Sequence, residues 1–348
     1  MLHSSCPLYL CVDAGGTKTA AAIANEQGHV VGRGYGGAAN MSELGIEVAS
    51  REILRATDQA ISSLRLSGDI ETNDHADFDS ERYTSPVGFE RIWVGISGCD
   101  SPNDVISMTE RLEGPMGSRR CGQPSLTVMN DALLLSSSLL RRKTSWGIAV
   151  VAGTGSIVLG LCERPSASDY DVFAKRGGHG HLFGDPGSGY HLGLKAISMA
   201  ADDHGMGQEQ SGGLPAVLRK VFGVESTADV PARSHDLPID QDPVTASNTR
   251  KLRIASLAPH VLALSSTCPL AARVLAHVTG ALAEDVAVIR SHAKKSGLSG
   301  SGGLVITGGL GIQDRYFAAL QSALEKSGIR FEWHSVTRHD TVTTADEM

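Results

Sequence analysis

At 348 residues, with 41% hydrophobic and 20% charged side chains, the chain is long enough for two domains with separate cores, and its composition excludes a disordered or fibrous protein. A net charge of −7, without any long Lys/Arg-rich block, argues against a nucleic-acid partner. The 6 cysteines are scattered without a C-x-x-C pair, which argues against a zinc or disulfide framework and fits reduced thiols in the cytoplasm. No segment has the length of a membrane span, and Asp13 interrupts the one apolar run near the N-terminus, so neither a membrane partner nor a targeting segment is expected.

In chain order, Leu8–Val12, Ala20–Ala24 and His29–Arg33 are predicted as three short strands. The first turn is Asp13-Ala14-Gly15-Gly16-Thr17-Lys18-Thr19 and the second Asn25-Glu26-Gln27-Gly28. Ile53, Thr57, Ile61 and Leu64 lie at helical spacing. Ser67–Pro86 is polar and acidic, which suits a surface insertion. Ile92–Ile96 and Leu126–Met129 read as buried strands, each leading into a helical pattern, and this alternation implies an α/β architecture with a partly parallel sheet.

A second hairpin follows: Gly147–Ala152, the turn Gly153-Thr154-Gly155-Ser156, and Ile157–Cys162. The repeated device suggests a duplicated fold, and the boundary is placed near Ser136–Ser145, giving domains 1–140 and 141–348. Beyond it come a Gly/His-rich run over 177–189, a helix from about Tyr190, a polar loop over Glu225–Asn248, a helix over Leu270–His292, and a strand at Leu304–Thr307 that runs into Gly308-Gly309.

Glycines let a turn approach a ligand, and successive backbone N–H groups in it can form an anion-binding concavity. The hydroxyls of Thr17, Thr19, Thr154 and Ser156 add donors suited to phosphate. Each turn could equally be a plain hairpin, but Asp13 at the strand end could orient Mg²⁺ through water beside a triphosphate. Asp131 follows a strand and precedes an apolar helix, so it is a candidate general base or a helix N-cap. An ionised Asp185 could accept from two sugar hydroxyls, and Asn40 could serve the same ligand or merely a turn. His179 and His181 suit a structural or ligand-lining role better than a metal site. Gly32-Arg33-Gly34-Tyr35-Gly36-Gly37 matches a dinucleotide fingerprint literally but lacks its strand–turn–helix context, and with no Gly-Lys pair there is no P-loop.

Asp13 to Thr19, Asn130-Asp131, Gly153 to Ser156, Gly184-Asp185-Pro186-Gly187-Ser188-Gly189 and Thr307-Gly308-Gly309 occur in one order from Leu8 to about Leu310. Together they resemble the N-acetylglucosamine kinase branch of the BadF/BadG/BcrA/BcrD ATPase family, within the actin/hexokinase/Hsp70 superfamily. The resemblance implies a duplicated ribonuclease-H-like (actin-like ATPase) fold of two lobes, with ATP and sugar in the central cleft. It assigns Gly15, Gly16, Thr17, Lys18, Thr19, Gly153, Thr154, Gly155 and Ser156 to the phosphates and Gly308-Gly309 to adenosine. It makes Asp131 the base and sets Asn40, Asp131, Gly178, His179 and Asp185 at the sugar.

The chain departs from the family pattern at His179, usually Trp, at Pro186, usually acidic, and at polar Arg338–Met348, where the family has a Gly/Ala-rich closing helix. The implied activity is ATP- and Mg²⁺-dependent phosphorylation of an amino sugar, foremost N-acetylglucosamine at its 6-hydroxyl. A glucosamine kinase and a non-catalytic sugar-binding relative are the alternatives. An activator of 2-hydroxyacyl-CoA dehydratases is disfavoured, because Val150-Val151-Ala152 precede Gly153 where activators carry cysteine. Whether the protein is a homodimer is left open.

Overall fold

The computed structural model describes residues 7–16, 18–64, 84–116, 125–164, 170–236 and 243–337. Thr17, most of the expected insertion Ser67–Pro86 and the expected polar end Arg338–Met348 lie outside the described residues. The described chain forms two compact units, one up to Lys143 and one from Thr144.

The first unit opens with β1 (Leu8–Ala14), β2 (Thr19–Asn25) and β3 (Val30–Gly36), an antiparallel meander. Helix α1 (Met41–Ser62), β4 (Arg91–Ile96), α2 (Pro102–Met116) and β5 (Ser125–Asn130) follow, then a 3₁₀ turn over Asp131–Leu135 and α3 (Ser136–Arg141). The sheet order is β3-β2-β1-β4-β5, with β1, β4 and β5 parallel. Leu10, Val12, Ile53, Ile92, Val94 and Met108 are fully buried in its core, where the inward faces of β1 and β4 meet α1 and α2.

The dinucleotide-like glycines belong to β3, and their spacing has a packing cause. A Cβ at Gly32, Gly34 or Gly36 would stand 2.5, 2.0 or 2.5 Å from the carbonyl oxygens of Ala60, Ala56 and Glu52 on α1. Two residues of strand and four of helix both advance by about 6 Å, so alternate glycines meet successive helical turns. Here the glycines admit a helix backbone.

The second unit repeats the plan. Strands β6 (Trp146–Ala152), β7 (Ser156–Glu163) and β8 (Tyr170–Gly177) form an antiparallel meander, and β9 (Gly303–Thr307) and β10 (Trp333–Val336) complete the order β10-β9-β6-β7-β8. Strands β6, β9 and β10 are parallel. Read from β8, this order is β8-β7-β6-β9-β10, which is the first order with each strand number raised by five, so the duplication expected from two hairpins extends to whole sheets. Helices α4 (Gly189–Gly205), α5 (Leu214–Phe222), α6 (Val230–Ser234), α7 (Pro243–Ala255), α8 (Ala258–Leu264) and α9 (Pro269–Lys295) lie between β8 and β9. Helices α10 (Gly308–Gly311) and α11 (Asp314–Lys326) lie between β9 and β10. Trp146, Ile148, Val278, Leu282 and Tyr316 are buried in its core.

One expectation is corrected here, and two strands are added to those expected. Glu225–Asn248 is not simply a loop: it contains a 3₁₀ turn at Thr227–Asp229, α6, and the start of α7. Prolines at the first turn of α6 and the start of α7 gave that segment its loop-like look, yet proline fits a helix's first turn. The edge strands β8 and β10 had not been foreseen, since edge strands expose polar faces and carry no long apolar run.

Candidate functional site

In the first unit the parallel strands end in line. Ala14 pairs with Ile96, and Ile96 with Asn130. In open α/β sheets such carboxyl-terminal strand ends are where ligands bind. Asp13 stands one residue before the end of β1, opposite Gly95. The turn after it is closed by Gly15 N–H donating to Lys18 C=O at 3.0 Å.

The loop after β3 is stitched to these ends. Ala39 N–H donates to Gly15 C=O at 3.0 Å and Met41 N–H to Ser97 C=O at 2.8 Å. Glu52, a buried carboxylate on α1 not anticipated from the sequence, accepts from Gly37 N–H at 2.8 Å. Thr19 departs from its expected role as a phosphate donor: it is fully buried, and its hydroxyl donates to Gly37 C=O at 2.8 Å. Asn40 is the N-cap of α1, its Oδ1 accepting from Ser42 N–H at 3.1 Å and Glu43 N–H at 3.3 Å. Its Nδ2 lies 3.9 Å from where a Gly16 Cβ would stand, so the amide end remains on the side of the Gly turn.

At the end of β5 the capping role falls to Asn130, whose Oδ1 accepts from Ala132 N–H at 3.0 Å. Asp131 is the first residue of the 3₁₀ turn, and its Oδ1 is 2.9 Å from the same N–H. Asn130 Nδ2 donates to Asp100 Oδ1 at 2.9 Å, so a second carboxylate stands beside the candidate base. Asp100 was missed, although Ser97-Gly98-Cys99-Asp100 leaves β4 as Asn130-Asp131 leaves β5. Burial, with Asp104, Asp100 and Asp131 nearby, pushes the Cys99 thiol up to about 11 and keeps it protonated.

In the second unit the Gly153–Gly155 turn is closed by Gly153 N–H donating to Gly155 C=O at 2.9 Å. Val151 occupies the place that Asp13 holds in the first hairpin, so this turn has no acid of its own. Gly308, at φ 91°, packs where a Cβ would strike Ala152 C=O at 2.4 Å, and Gly309 N–H lies 4.0 Å from a Gly153 Cβ position. The two expected nucleotide motifs of this unit are therefore neighbours. Thr307 Oγ1, fully buried just before them, has no partner among the described residues.

The Gly/His-rich segment folds onto the same turn. Gly189 N–H donates to Gly153 C=O at 2.8 Å and Tyr190 N–H to Thr154 C=O at 3.2 Å. Ser156 Oγ donates to Pro186 C=O at 2.7 Å, so its hydroxyl braces this segment rather than standing free for phosphate. Asp185 is 5% exposed, with an unusual φ of 32°. A Gly155 Cβ would stand 3.0 Å from its Oδ2, and its Oδ1 has no hydrogen-bond partner among the described residues. Burial raises the Asp185 pKa, opposed by the Gly180 N–H and by the charges of Lys251, His181 and His179. Gly178, at φ 70°, packs on Ile157, and its N–H donates to Ser156 C=O at 2.9 Å.

These surroundings suit the implied ligands. In the first unit only distant contacts stand in front of Gly16, and in the second only a distant one in front of Gly153 and none in front of Gly309, so each unit leaves room for phosphate against backbone. Among the described residues no three His, Cys, Asp or Glu side chains gather as a metal site. Asp13 suits Mg²⁺, which keeps its waters and takes one or two carboxylates beside phosphate oxygens. Among the described residues no single helix is long and apolar enough to cross a membrane.

Comparison with known proteins agrees with this architecture. The chain is similar to N-acetyl-D-glucosamine kinase of Dictyostelium discoideum, 27% identical over 57% of this chain and 56% of that protein. It is similar to N-acetylmuramic acid/N-acetylglucosamine kinase of Clostridium acetobutylicum, 37% identical over 31% of each chain, and to glucosamine kinase of Vibrio cholerae, 30% identical over 54% and 53%. The matched stretch thus spans about half or less of each relative's length. A solved Chromobacterium violaceum protein assigned as an N-acetylglucosamine kinase superposes with a TM-score of 0.60, at 23% identity over 98% of both chains. A Streptomyces griseus ROK-family glucokinase gives a TM-score of 0.51 at 13% identity over 98% of both chains. Residues 10–343 match the model of the BadF/BadG/BcrA/BcrD ATPase family, and the chain belongs to that family.

Proposed function

We propose that this protein is an ATP-dependent amino-sugar kinase that phosphorylates N-acetylglucosamine at its 6-hydroxyl. The observation that carries the reading is Asp185. A buried carboxylate with an unmet acceptor, set against a Gly turn suited to phosphate, calls for a ligand that brings hydroxyl donors beside a polyphosphate. The names of the Dictyostelium and Clostridium relatives point to the same substrate class.

Bound ATP with Mg²⁺ would supply the transferable phosphoryl group and neutralise its charge, held by Gly15, Gly16, Lys18, Gly153, Thr154 and Gly155, with Gly308-Gly309 at the adenosine and Asp13 toward the metal. Asp131 accepts the proton of the attacking hydroxyl at its carboxylate. Asn130 caps the turn beside it, and Asp100 accepts from the Asn130 amide, so the base sits on a braced strand end. Asp185 accepts from sugar hydroxyls and orients the ring, with Asn40, Gly178 and His179 completing the sugar contacts.

The test is ADP release with N-acetylglucosamine, N-acetylmannosamine, glucosamine and glucose, each with and without Mg²⁺. Turnover should require added sugar and be fastest with N-acetylglucosamine. Preference for glucosamine would move the assignment to the activity named for the Vibrio relative. ATP hydrolysis indifferent to sugar would refute the kinase reading.

A further inference from the structure

Asp185-Pro186-Gly187-Ser188 is a hydrogen-bonded β-turn, with Ser188 N–H donating to Asp185 C=O at 3.1 Å. Proline in the second place and glycine at φ 90° in the third are the type II arrangement. Types I and II differ in the orientation of the central peptide, here Pro186–Gly187. In this protein both ends of that peptide are held. Its carbonyl accepts from Ser156 Oγ at 2.7 Å, and its N–H donates to His191 Nδ1 at 3.3 Å. The following carbonyl, Gly187 C=O, accepts from Tyr316 Oη at 2.5 Å. A Cβ on Gly187 would meet Leu282 at 2.8 Å, so α9 closes the remaining side.

Four elements converge on the residue pair Pro186-Gly187, and the residue before the pair is the strained Asp185, at φ 32°. Strain of that kind persists only where the surroundings over-determine it. We propose that His191 and Tyr316 are positioning residues: by gripping the N–H and C=O of Gly187 they lock the type II turn and hold the Asp185 carboxylate against the Gly153–Gly155 turn. The inference rests on the reading that Asp185 receives the sugar. Burial, then Lys195 and His277, push His191 down to about 4, so its ring is neutral near pH 7 and Nδ1 is able to accept. Tyr316 is fully buried and keeps its proton, as a donor must.

The test uses His191→Leu, His191→Asn, Tyr316→Phe and Asp185→Ala. The readouts are KM for N-acetylglucosamine and for ATP, and hydrogen exchange over 185–191. Loss of one buried hydrogen bond should raise the sugar KM roughly three- to tenfold in His191→Leu and Tyr316→Phe, with the ATP KM little changed. Exchange should quicken in both. His191→Asn, whose Oδ1 offers an acceptor near the place of Nδ1, should restore both readouts. Unchanged sugar KM in the two variants, while Asp185→Ala raises it, overturns the positioning role alone. Unchanged sugar KM in Asp185→Ala overturns the sugar-site reading instead, and the exchange rates then decide whether the lock exists. Tyr316→Phe keeps the ring, so the experiment stands even where His191→Leu does not fold.

Discussion

The Asp185 carboxylate leans on Gly155 so closely that a Cβ there would stand 3.0 Å from Oδ2. Glycine is therefore required at 155 by the acid beside it as well as by the turn. Gly155→Ala should displace either the carboxylate or the turn, raising both the sugar and the ATP KM. The rise should be on the order of tenfold, since breaking one good hydrogen bond to a ligand weakens binding by about that factor. Steady-state kinetics with each substrate varied checks this. A change in the ATP KM alone would mean that Asp185 moves aside without consequence for the sugar.

Asp131→Asn should abolish phosphorylation while ATP still binds. The amide keeps the shape and the contact to Ala132 N–H can be kept in part, but it cannot accept a proton, and general-base catalysis is worth about 10²–10⁴-fold. Because Asn130 carries the cap, the melting temperature should change little. Turnover near that of the parent would leave Asp131 as a turn residue only.

How far the sequence reaches is clear from these residues. The strand–Gly turn–strand repeats, Asp131 at the end of β5 and the strand leading into Gly308-Gly309 were legible because each rests on local pattern, although Gly308-Gly309 opens α10 where a turn was expected. What was not legible depends on contacts between residues far apart in the chain. Asp100 gains its place only when Asn130, 30 residues on, reaches it, and Glu52 only when Gly37 approaches from the end of β3. Thr19 and Ser156 carried hydroxyls suited to phosphate, but the Gly37 and Pro186 carbonyls accept their hydrogen bonds. Composition records the donor and not its partner.

Asp185→Asn should stabilise the protein while weakening sugar binding. Burial raises the Asp185 pKa, so the ionised form is the disfavoured one in the fold. The group's contribution is therefore full below the unfolded-state value of about 3.9 and is lost as pH rises through the higher folded value. At pH 7 the uncharged amide escapes this penalty, although Lys251, His181 and His179 reduce it. The melting temperature should rise by about 2–4 °C per kcal/mol recovered, and the gain should shrink as pH falls toward 4. Thermal melts across pH, paired with sugar titration, test both halves; a melting temperature below the parent's at pH 7 would count against it.

Gly34 separates a packing role from a nucleotide role. A Cβ there would stand 2.0 Å from Ala56 C=O and 2.3 Å from Ala60 N, both backbone atoms of α1 that cannot step aside. Gly34→Ala should thus cost about 3 kcal/mol or more, the upper end of what overpacking costs, because the clash is with backbone. Gly37→Ala is the control. Its Cβ would meet only the Glu52 carboxylate, at 3.2 Å, a side chain able to shift, so the cost should be about 1 kcal/mol or less. Urea unfolding gives both figures, and ATP titration of the folded fraction completes the experiment. If Gly34→Ala folds as well as the parent and loses ATP affinity instead, Gly32 to Gly37 binds nucleotide after all. If it unfolds early while its folded fraction binds ATP normally, the glycines of β3 serve only to seat α1.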